Sequence, residues 1–269
     1  MKKIYLAMAF VMYFPTLVQA QENWDAYIAQ FDDGPGSVTL NMARRETAPV
    51  KTLPFAVVTG LTTTKDCEQD GFPKKKELDK LQNANDAAVA VVKSATTSEW
   101  VGTFLYACER LAYIYVRDTA QIREKLTILY KSKYRDYKYY INIKPDDSWE
   151  YYLGFLYPNE EVMEYMSNEK VIDQLRQAGD KLDKPREIEY VFYFADEKGR
   201  ESFINAVASQ GFKAEKQYVK EDPKKPYQVV LTRVGVVEVS EISQTTLELK
   251  KKSEQFGGDY DGWNTVLVK

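Results

Sequence analysis

The strongest constraint on the fold is the order of strand and helix patterns, which occurs twice along the 269 residues. Each half has the order strand, helix, strand, strand, helix, strand, which is the βαββαβ order of a ferredoxin-like unit. The sequence therefore predicts an α+β protein of two ferredoxin-like antiparallel-sheet sandwiches in tandem. The two halves share this architecture without identity at the level of residues.

In the first half, strands are predicted at residues 54–63, 100–108, 111–117 and 137–143. One helix begins at Pro73, and Asp118 is expected to cap a second helix that follows it. Two hairpins are predicted as additions. The first is an N-terminal hairpin of residues 24–31 and 38–42 around a run rich in Asp and Gly, and in the second residues 137–143 pair with residues 149–157.

In the second half, a polar helix is predicted over residues 159–178, followed by strands at 188–195, 212–219 and 227–234. Helices are predicted at residues 196–210 and around the apolar spacing of Val239, Ile242, Thr246 and Leu249. A Gly-rich turn then leads to a last strand at residues 265–268. We place a leader at residues 1–20, an N-terminal domain at 21–165 and a C-terminal domain at 166–269.

The N-terminus has the layout of a secretory signal peptide. Lys2 and Lys3 precede an apolar run over residues 4–14, and Pro15 ends that run before a cleavage site ahead of Gln21. The run is shorter than the ~20 residues that a membrane span needs. The sequence therefore predicts an exported, periplasmic protein whose mature chain has no membrane span.

The chain contains no histidine and only two cysteines. Histidine is the commonest zinc ligand and the usual catalytic base near neutral pH, so triads that need it and histidine-ligated metals are excluded. We expect no cofactor and no metal. In an oxidising compartment, Cys67 and Cys108 form one structural disulfide or remain two buried thiols.

The formal net charge of −3 gives no sign of a nucleic-acid-binding surface. The run over residues 131–140 mixes cations with tyrosines, a combination that also occurs where single-stranded nucleic acid binds. With a period of two, however, Tyr137, Tyr139, Ile141 and Ile143 share one face. We interpret the run as a half-buried strand and expect no nucleic-acid partner.

The most distinctive run of the second half is Gly258-Asp259-Tyr260-Asp261-Gly262-Trp263. Together with it, the chain from Leu175 to the end, about a third of its length, resembles the RraB family, regulators that bind and inhibit ribonuclease E. The supporting residues are Leu175, Gly179-Asp180, Pro185-Arg186, Tyr193-Phe194, Phe203 and Gly211-Phe212. The resemblance implies a fold that binds other macromolecules. The C-terminal segment is nearly balanced in charge and lacks the acidic arm that would help hold a basic partner.

The N-terminal hairpin, the corner Asp70-Gly71-Phe72-Pro73 before the first helix and the tyrosine-rich strands resemble a second family, domain of unknown function 695. This resemblance spans residues 22–161. It implies no mechanism.

Asp259 and Asp261 are the main candidates for chemistry. If the run is a strand, both project from one face, where paired carboxylates hold a hard cation or act as acid and base. If the run is a turn, which we favour, the glycines supply unusual backbone angles and the carboxylates accept bonds from turn amides. Trp263 is expected to anchor the run against the sheet. The alternative is that Trp263 itself contacts a partner protein. Asp259, Tyr260, Asp261, Gly262 and Trp263 are therefore the candidate partner-binding residues.

Residues 167–170 match the S-x-x-K pattern of some acyl transferases, although the companion motifs of those enzymes are missing. We interpret Ser167 as a helix cap.

Three hypotheses of function follow from these observations. The first is an exported, non-enzymatic regulatory protein that contacts an unknown protein partner or its own sister domain. The second is a cytoplasmic inhibitor of a ribonuclease, if the leader is not cleaved. The third is a carboxylate-based hydrolase of glycans.

Overall fold

The computed structural model describes residues 22–31, 34–68, 70–218 and 224–269. The chain divides into two compact units: an N-terminal unit that ends at Tyr157 and a C-terminal unit, Pro158–Lys269. Each unit contains one antiparallel sheet, of six strands in the first and four in the second, so the predicted α+β class is confirmed. The predicted leader lies outside the described residues.

The N-terminal unit adds a hairpin to a βαββαβ unit. Its elements, in chain order, are β1 (Trp24–Phe31), β2 (Gly34–Asn41), a 3-10 turn (Met42–Glu46), β3 (Phe55–Thr62), α1 (Lys75–Ala95), β4 (Ser98–Tyr106), β5 (Glu109–Val116), α2 (Ile122–Lys133), β6 (Lys138–Pro145) and a π-helical segment (Tyr151–Leu156). The strand order across the sheet is β1-β2-β4-β5-β3-β6. The predicted N-terminal hairpin therefore extends the sheet beside β4.

Helices α1 and α2 cover one face of this sheet. Buried residues of α1 at three- and four-residue spacing, among them Leu81, Ala84 and Ala88, form a core with Val57, Ile114 and other strand residues. Three of the four residues predicted to face inward from the tyrosine-rich run, Tyr137, Ile141 and Ile143, pack against this core. The fourth, Tyr139, is 40% exposed and stacks on Tyr130, with ring centroids 5.4 Å apart.

The start of α2 differs from the prediction. The helix begins at Ile122, and Asp118 does not cap it. One oxygen of the Asp118 carboxylate accepts a hydrogen bond from the Thr96 hydroxyl at 2.6 Å, and the other accepts one from the Ala120 N–H at 3.3 Å. Asp118 is therefore used to order the connection that leads to the helix.

The other face of the same sheet is also covered, and here the predicted second hairpin is wrong. Within residues 149–157, Tyr151–Leu156 form a turn of π-helix, and Trp149, Tyr152 and Leu156, which recur at helical spacing, are all fully buried. The Asp146 carboxylate starts the turn by accepting the N–H groups of Glu150 and Tyr151 at 2.9 and 3.1 Å. This segment closes a second core on the sheet face opposite α1 and α2.

Cys67 and Cys108 are joined in a disulfide across a sequence separation of 41 residues. The bond connects the loop between β3 and α1 to the turn between β4 and β5. The Cys108 N–H also donates to the Gly71 carbonyl of that loop at 2.7 Å. A cross-link of this span restricts the unfolded chain and contributes about 4 kcal/mol in the chain-entropy description.

The C-terminal unit is a second βαββαβ unit preceded by a helix. Its elements are α3 (Glu160–Gln177), β7 (Arg186–Phe194), α4 (Glu197–Val207), β8 (Lys213–Tyr218), β9 (Tyr227–Gly235), α5 (Val239–Glu254) and β10 (Gly258–Thr265), with the strand order β10-β7-β9-β8. Asn159 caps α3 by accepting the Val162 N–H at 2.9 Å. α3 is continuous across residues 165 and 166, where sequence patterns placed the domain boundary.

The core of the N-terminal unit contains one polar side chain whose change gives a stability prediction. Asn85 of α1 is fully buried, and neither atom of its amide has a hydrogen-bond partner among the described residues. We expect Asn85→Leu to raise the free energy of unfolding by about 1 kcal/mol, because a buried amide without a partner is costly. Urea unfolding followed by circular dichroism measures the change.

The matched control is Asn83→Leu, which makes the same substitution at an exposed position of α1. It should change the free energy by no more than about 0.5 kcal/mol. A loss of stability in Asn85→Leu would show instead that the amide has a partner in solution.

Candidate functional site

The distinctive run at residues 258–263 lies in an edge strand. Among the described strands β10 pairs with β7 alone, and the register shifts between Tyr260 and Gly262, where the strand has a bulge. The favoured interpretation of the run as a turn is therefore wrong, and the last strand begins at Gly258 instead of residue 265. Bulged strands commonly contain glycine, which explains why the composition resembles that of a turn.

Trp263 is held in the core of the C-terminal unit. Its side chain is only 9% exposed, and its indole N–H donates to the Asn168 side-chain oxygen at 2.8 Å. The Asn168 amide nitrogen donates in turn to Ser243 and Thr246 of α5, at 3.2 and 3.0 Å. One buried amide thus joins α3, α5 and β10, so the described surroundings of Trp263 are those of an anchor.

Asn168 belongs to the run that matched the S-x-x-K pattern. Ser167 lies in the middle of α3, so it does not cap a helix as expected. The residue of that run with a defined buried role is Asn168.

Packing also accounts for two glycines and a tyrosine of the distinctive run. A Cβ atom at Gly258 would overlap the ring of Phe194, and Gly262 at the bulge has φ +144°, in the region that favours glycine. The Tyr260 ring packs against Phe192 at 5.2 Å between centroids. Burial raises the pKa of the Tyr260 phenol, and its hydroxyl has no hydrogen-bond partner among the described residues.

Asp259 and Asp261 are the two members of the run that the core does not explain. Both are exposed on the edge strand, and a carboxylate oxygen of Asp259 lies 2.6 Å from the Lys225 ammonium. Exposed carboxylates at a strand edge are suited to electrostatic contact with a partner. Within the described ranges, no group of three acidic or cysteine side chains is placed to hold a metal ion.

The sheet face next to these carboxylates is open to solvent. On β7 the buried Ile188, Tyr190 and Phe192 alternate with residues that point to the opposite face. That face, here called the open face, is represented by Glu189, Val191, Val230, Thr232, Val234 and Asp259. Val191 is paired with Val230, and Glu189 is paired with Thr232. Val234 is 63% exposed.

The open face has an aliphatic centre and an acidic side. Glu187, Glu189 and Asp259 are exposed on β7 and β10, whereas Lys213 and Glu215 are exposed on β8 at the far edge. Such a surface fits a partner that presents apolar side chains together with basic ones.

A buried ion pair involves two further residues of the resemblance. Asp180 and Arg186 have side chains only 0% and 2% exposed, and one guanidinium nitrogen lies 2.6 Å from each carboxylate oxygen. Asp180 also accepts the Val268 N–H at 2.8 Å. The pair therefore ties the segment after β10 to the loop between α3 and β7.

In the N-terminal unit, the buried carboxylate of Glu77 is the centre of a polar cluster. It accepts hydrogen bonds from Tyr137 at 2.6 Å, Lys80 at 2.9 Å and Thr63 at 3.2 Å. Burial acts to raise the pKa of Glu77, but these hydrogen bonds and the Lys80 charge outweigh it and lower the pKa. The cluster holds the start of α1 against the residue before β6 and the residue after β3.

Comparison with known families confirms both resemblances. The family of unknown function DUF695 matches residues 22–157, slightly more than half of the chain. The chain belongs to this family. The family described as "Regulator of ribonuclease activity B" matches residues 166–265, from within α3 to the end of β10, and the match includes the Asp180–Arg186 pair. No curated protein matches.

Among the solved structures that match the chain is one at low identity. It is described as "Crystal Structure of an Unknown Protein from Galdieria sulphuraria", with 12% identity, a TM-score of 0.21, and coverage of 80% of this chain and 99% of the other. A score this low supports no argument about fold or function.

Of the helices in the described ranges, none has the length and apolar character of a membrane span.

Sequence patterns missed Asn168 and Glu77, although a signal was present. Asn168 and Ile172 are both buried, four residues apart on α3, and Glu77 and Leu81 are buried with the same spacing on α1. A polar residue at an inward position of an apolar stripe indicates a buried hydrogen-bonding centre. Such a residue is easily discounted as an imperfect apolar position.

The Asp180–Arg186 pair gives a prediction that depends on pH. Burial acts to raise the pKa of Asp180, but hydrogen bonds from Arg186 and the Val268 N–H outweigh it, so the pKa is lowered. The ionised Asp180 carboxylate stabilises the fold above the ordinary aspartate pKa of about 3.9, and this stabilisation is lost as the pH falls through the lower folded-state pKa. We expect Asp180→Asn to cost about 3 to 5 kcal/mol at pH 7, since Arg186 loses its buried partner.

Urea unfolding at pH 7 and under acidic conditions measures the free energy of unfolding of Asp180→Asn and of the native protein. The difference between the two free energies should become smaller as the pH falls. Asp183→Asn removes an exposed carboxylate in the same loop and serves as the control. If both variants lost the same amount of unfolding free energy at pH 7, the buried pair would make no specific contribution to stability.

Proposed function

We propose that this protein is an exported, non-enzymatic regulator that binds a protein partner through the open face of its C-terminal sheet. The partner presents basic and apolar side chains to β7, β9 and the edge strand β10. The observation that carries the proposal is the asymmetry of this sheet. One face is buried under helices, whereas the other exposes aliphatic residues beside several carboxylates.

The family comparison supports a role in regulation. A family of ribonuclease regulators matches residues 166–265, and a regulator of an enzyme acts by contact with another protein. The distinctive run supports the same surface, because its glycines and Trp263 secure β10 in position while Asp259 and Asp261 remain exposed.

Two features support export. The first twenty residues have the charge and apolar pattern of a signal peptide. A disulfide between the only two cysteines is typical of proteins that work in an oxidising compartment. The regulated partner is then an envelope protein.

The open face can be tested by partner capture. The full mature chain is immobilised and exposed to an envelope extract, in parallel with the double variant Glu187→Lys and Glu189→Lys, which changes two exposed residues of β7. Reversing two charges on the acidic side should reduce recovery of a basic partner about tenfold or more, because like charges then face each other across the contact.

Glu248→Lys is the matched control, since Glu248 is exposed on α5 and its change reverses charge away from the open face. It should retain the partner. Trp263 is unsuitable for this test because its replacement disturbs the core. Equal recovery by all three proteins would contradict the proposed surface.

Export predicts a processed N-terminus. When the gene is expressed from its own start in its native host, the periplasmic fraction should contain a chain that begins at Gln21. N-terminal sequencing and fractionation measure this. An intact chain from Met1 that copurifies with a ribonuclease in the cytoplasm would favour the cytoplasmic regulator and overturn export, while leaving the binding surface to the capture experiment.

A further inference from the structure

The outer strand β1 differs from the other sheet edges of this protein. Edge strands present backbone groups that can pair with another chain, and proteins usually protect them with charges, prolines or bulges. β6 carries Lys138, Lys144 and Pro145, and β8 carries Lys213, Glu215 and Lys216. β10 is interrupted by its bulge. Each of these three edges therefore has a feature that discourages pairing.

β1 has no proline, no bulge and a single charged side chain. Its sequence, WDAYIAQF, contains one charged residue, Asp25, and no lysine, arginine, proline or glycine. It pairs with β2 over all eight residues without a shift in register. Ile28 in its centre is 68% exposed, the highest value among the exposed large hydrophobic residues of the described ranges.

The direction of the β1 backbone can be assigned. The Asn23 carbonyl accepts the Met42 N–H at 2.7 Å, so odd-numbered residues direct their backbone groups toward β2. The Ala26 N–H donates to the Asp25 carboxylate, and Gln30 lies opposite Pro35, which has no N–H to offer. Ala26, Ile28 and Gln30 therefore direct their backbone groups outward, at the edge of the sheet.

This outward edge is complementary to itself. Two antiparallel copies related by a two-fold axis at Ile28 place Ile28 opposite its symmetry mate, and Ala26 opposite Gln30. On the other face, Tyr27 lies opposite Ala29 and Asp25 opposite Phe31. No two like charges face each other within this register, and the outward positions coincide with the hydrogen-bonded pairs of an antiparallel ladder.

We propose that β1 is a dimerisation edge, through which two copies of this chain pair antiparallel about Ile28 and join their N-terminal sheets. The partner of β1 is a second copy, because the strand can pair with its own reversed sequence without placing like charges opposite each other. The pairing buries the exposed Ile28 side chains against each other. The Ala26 N–H exchanges the Asp25 carboxylate for a carbonyl of the second copy. This proposal is independent of the open face of the C-terminal unit.

Sedimentation equilibrium of the full mature chain from about 1 to 100 μM tests it. The native protein should show a monomer–dimer equilibrium in this range. Ile28→Lys places two ammonium groups face to face at the two-fold axis and should raise the dissociation constant of the dimer at least about tenfold. Ile128→Lys is the matched control, because Ile128 is 60% exposed on α2, away from β1, and it should dimerise like the native chain.

A second variant tests the register. Cα atoms of a hydrogen-bonded antiparallel pair lie about 5.5 Å apart, within the span of a disulfide. Ile28→Cys should therefore form a covalent dimer on mild oxidation, whereas Ile128→Cys should not. Circular dichroism confirms that each variant is folded. A native chain that stays monomeric throughout, or dimers that Ile28→Lys leaves intact, would overturn the proposal, and a β1 strand that pairs only with an added foreign peptide would do so as well.

Discussion

The C-terminal unit depends on the hydrogen bonds of one buried side chain, Asn168. Its amide accepts the indole N–H of Trp263 and donates to Ser243 and Thr246, so a single group connects a helix before the sheet, a helix that covers it and its edge strand. Each polar atom has a defined partner, which makes this arrangement specific as well as stable. The exposed carboxylates of β10 owe their positions to this internal contact.

The two units use a similar topology in different ways. In the N-terminal unit both faces of the sheet are covered, by α1 and α2 on one side and by the π-helical segment and its neighbours on the other. In the C-terminal unit one face is left to solvent. A sheet that is buried on both faces offers mainly its edges to other molecules, whereas a sheet with an open face offers that face. This difference explains why β1 is the candidate contact in one unit and the open face in the other.

Much of the fold could be predicted from the sequence, because apolar periodicity marks helices and strands and because the order of elements permits few topologies. The segment around Trp149 could not, since aromatic residues are frequent in strands and the helical spacing of Trp149, Tyr152 and Leu156 spans less than three turns. The last strand was missed for a related reason, because its glycines serve a bulge and a close contact rather than a turn. The residues of the candidate site could be recognised from the sequence. The burial of Trp263 could not, because it depends on Asn168, which lies 95 residues away in sequence.

The bulge in β10 has a consequence for the alternation of side chains. In a regular strand, residues 259, 261 and 263 would all project from the same side of the sheet, and the indole would be left in water beside two carboxylates. The additional residue between Tyr260 and Gly262 reverses the alternation, so Asp259 and Trp263 lie on opposite sides. The length of this short segment is thus under tighter constraint than the chemistry of its exposed positions. Removal of one residue would turn the anchor outward, whereas most substitutions of Asp261 would leave it in place.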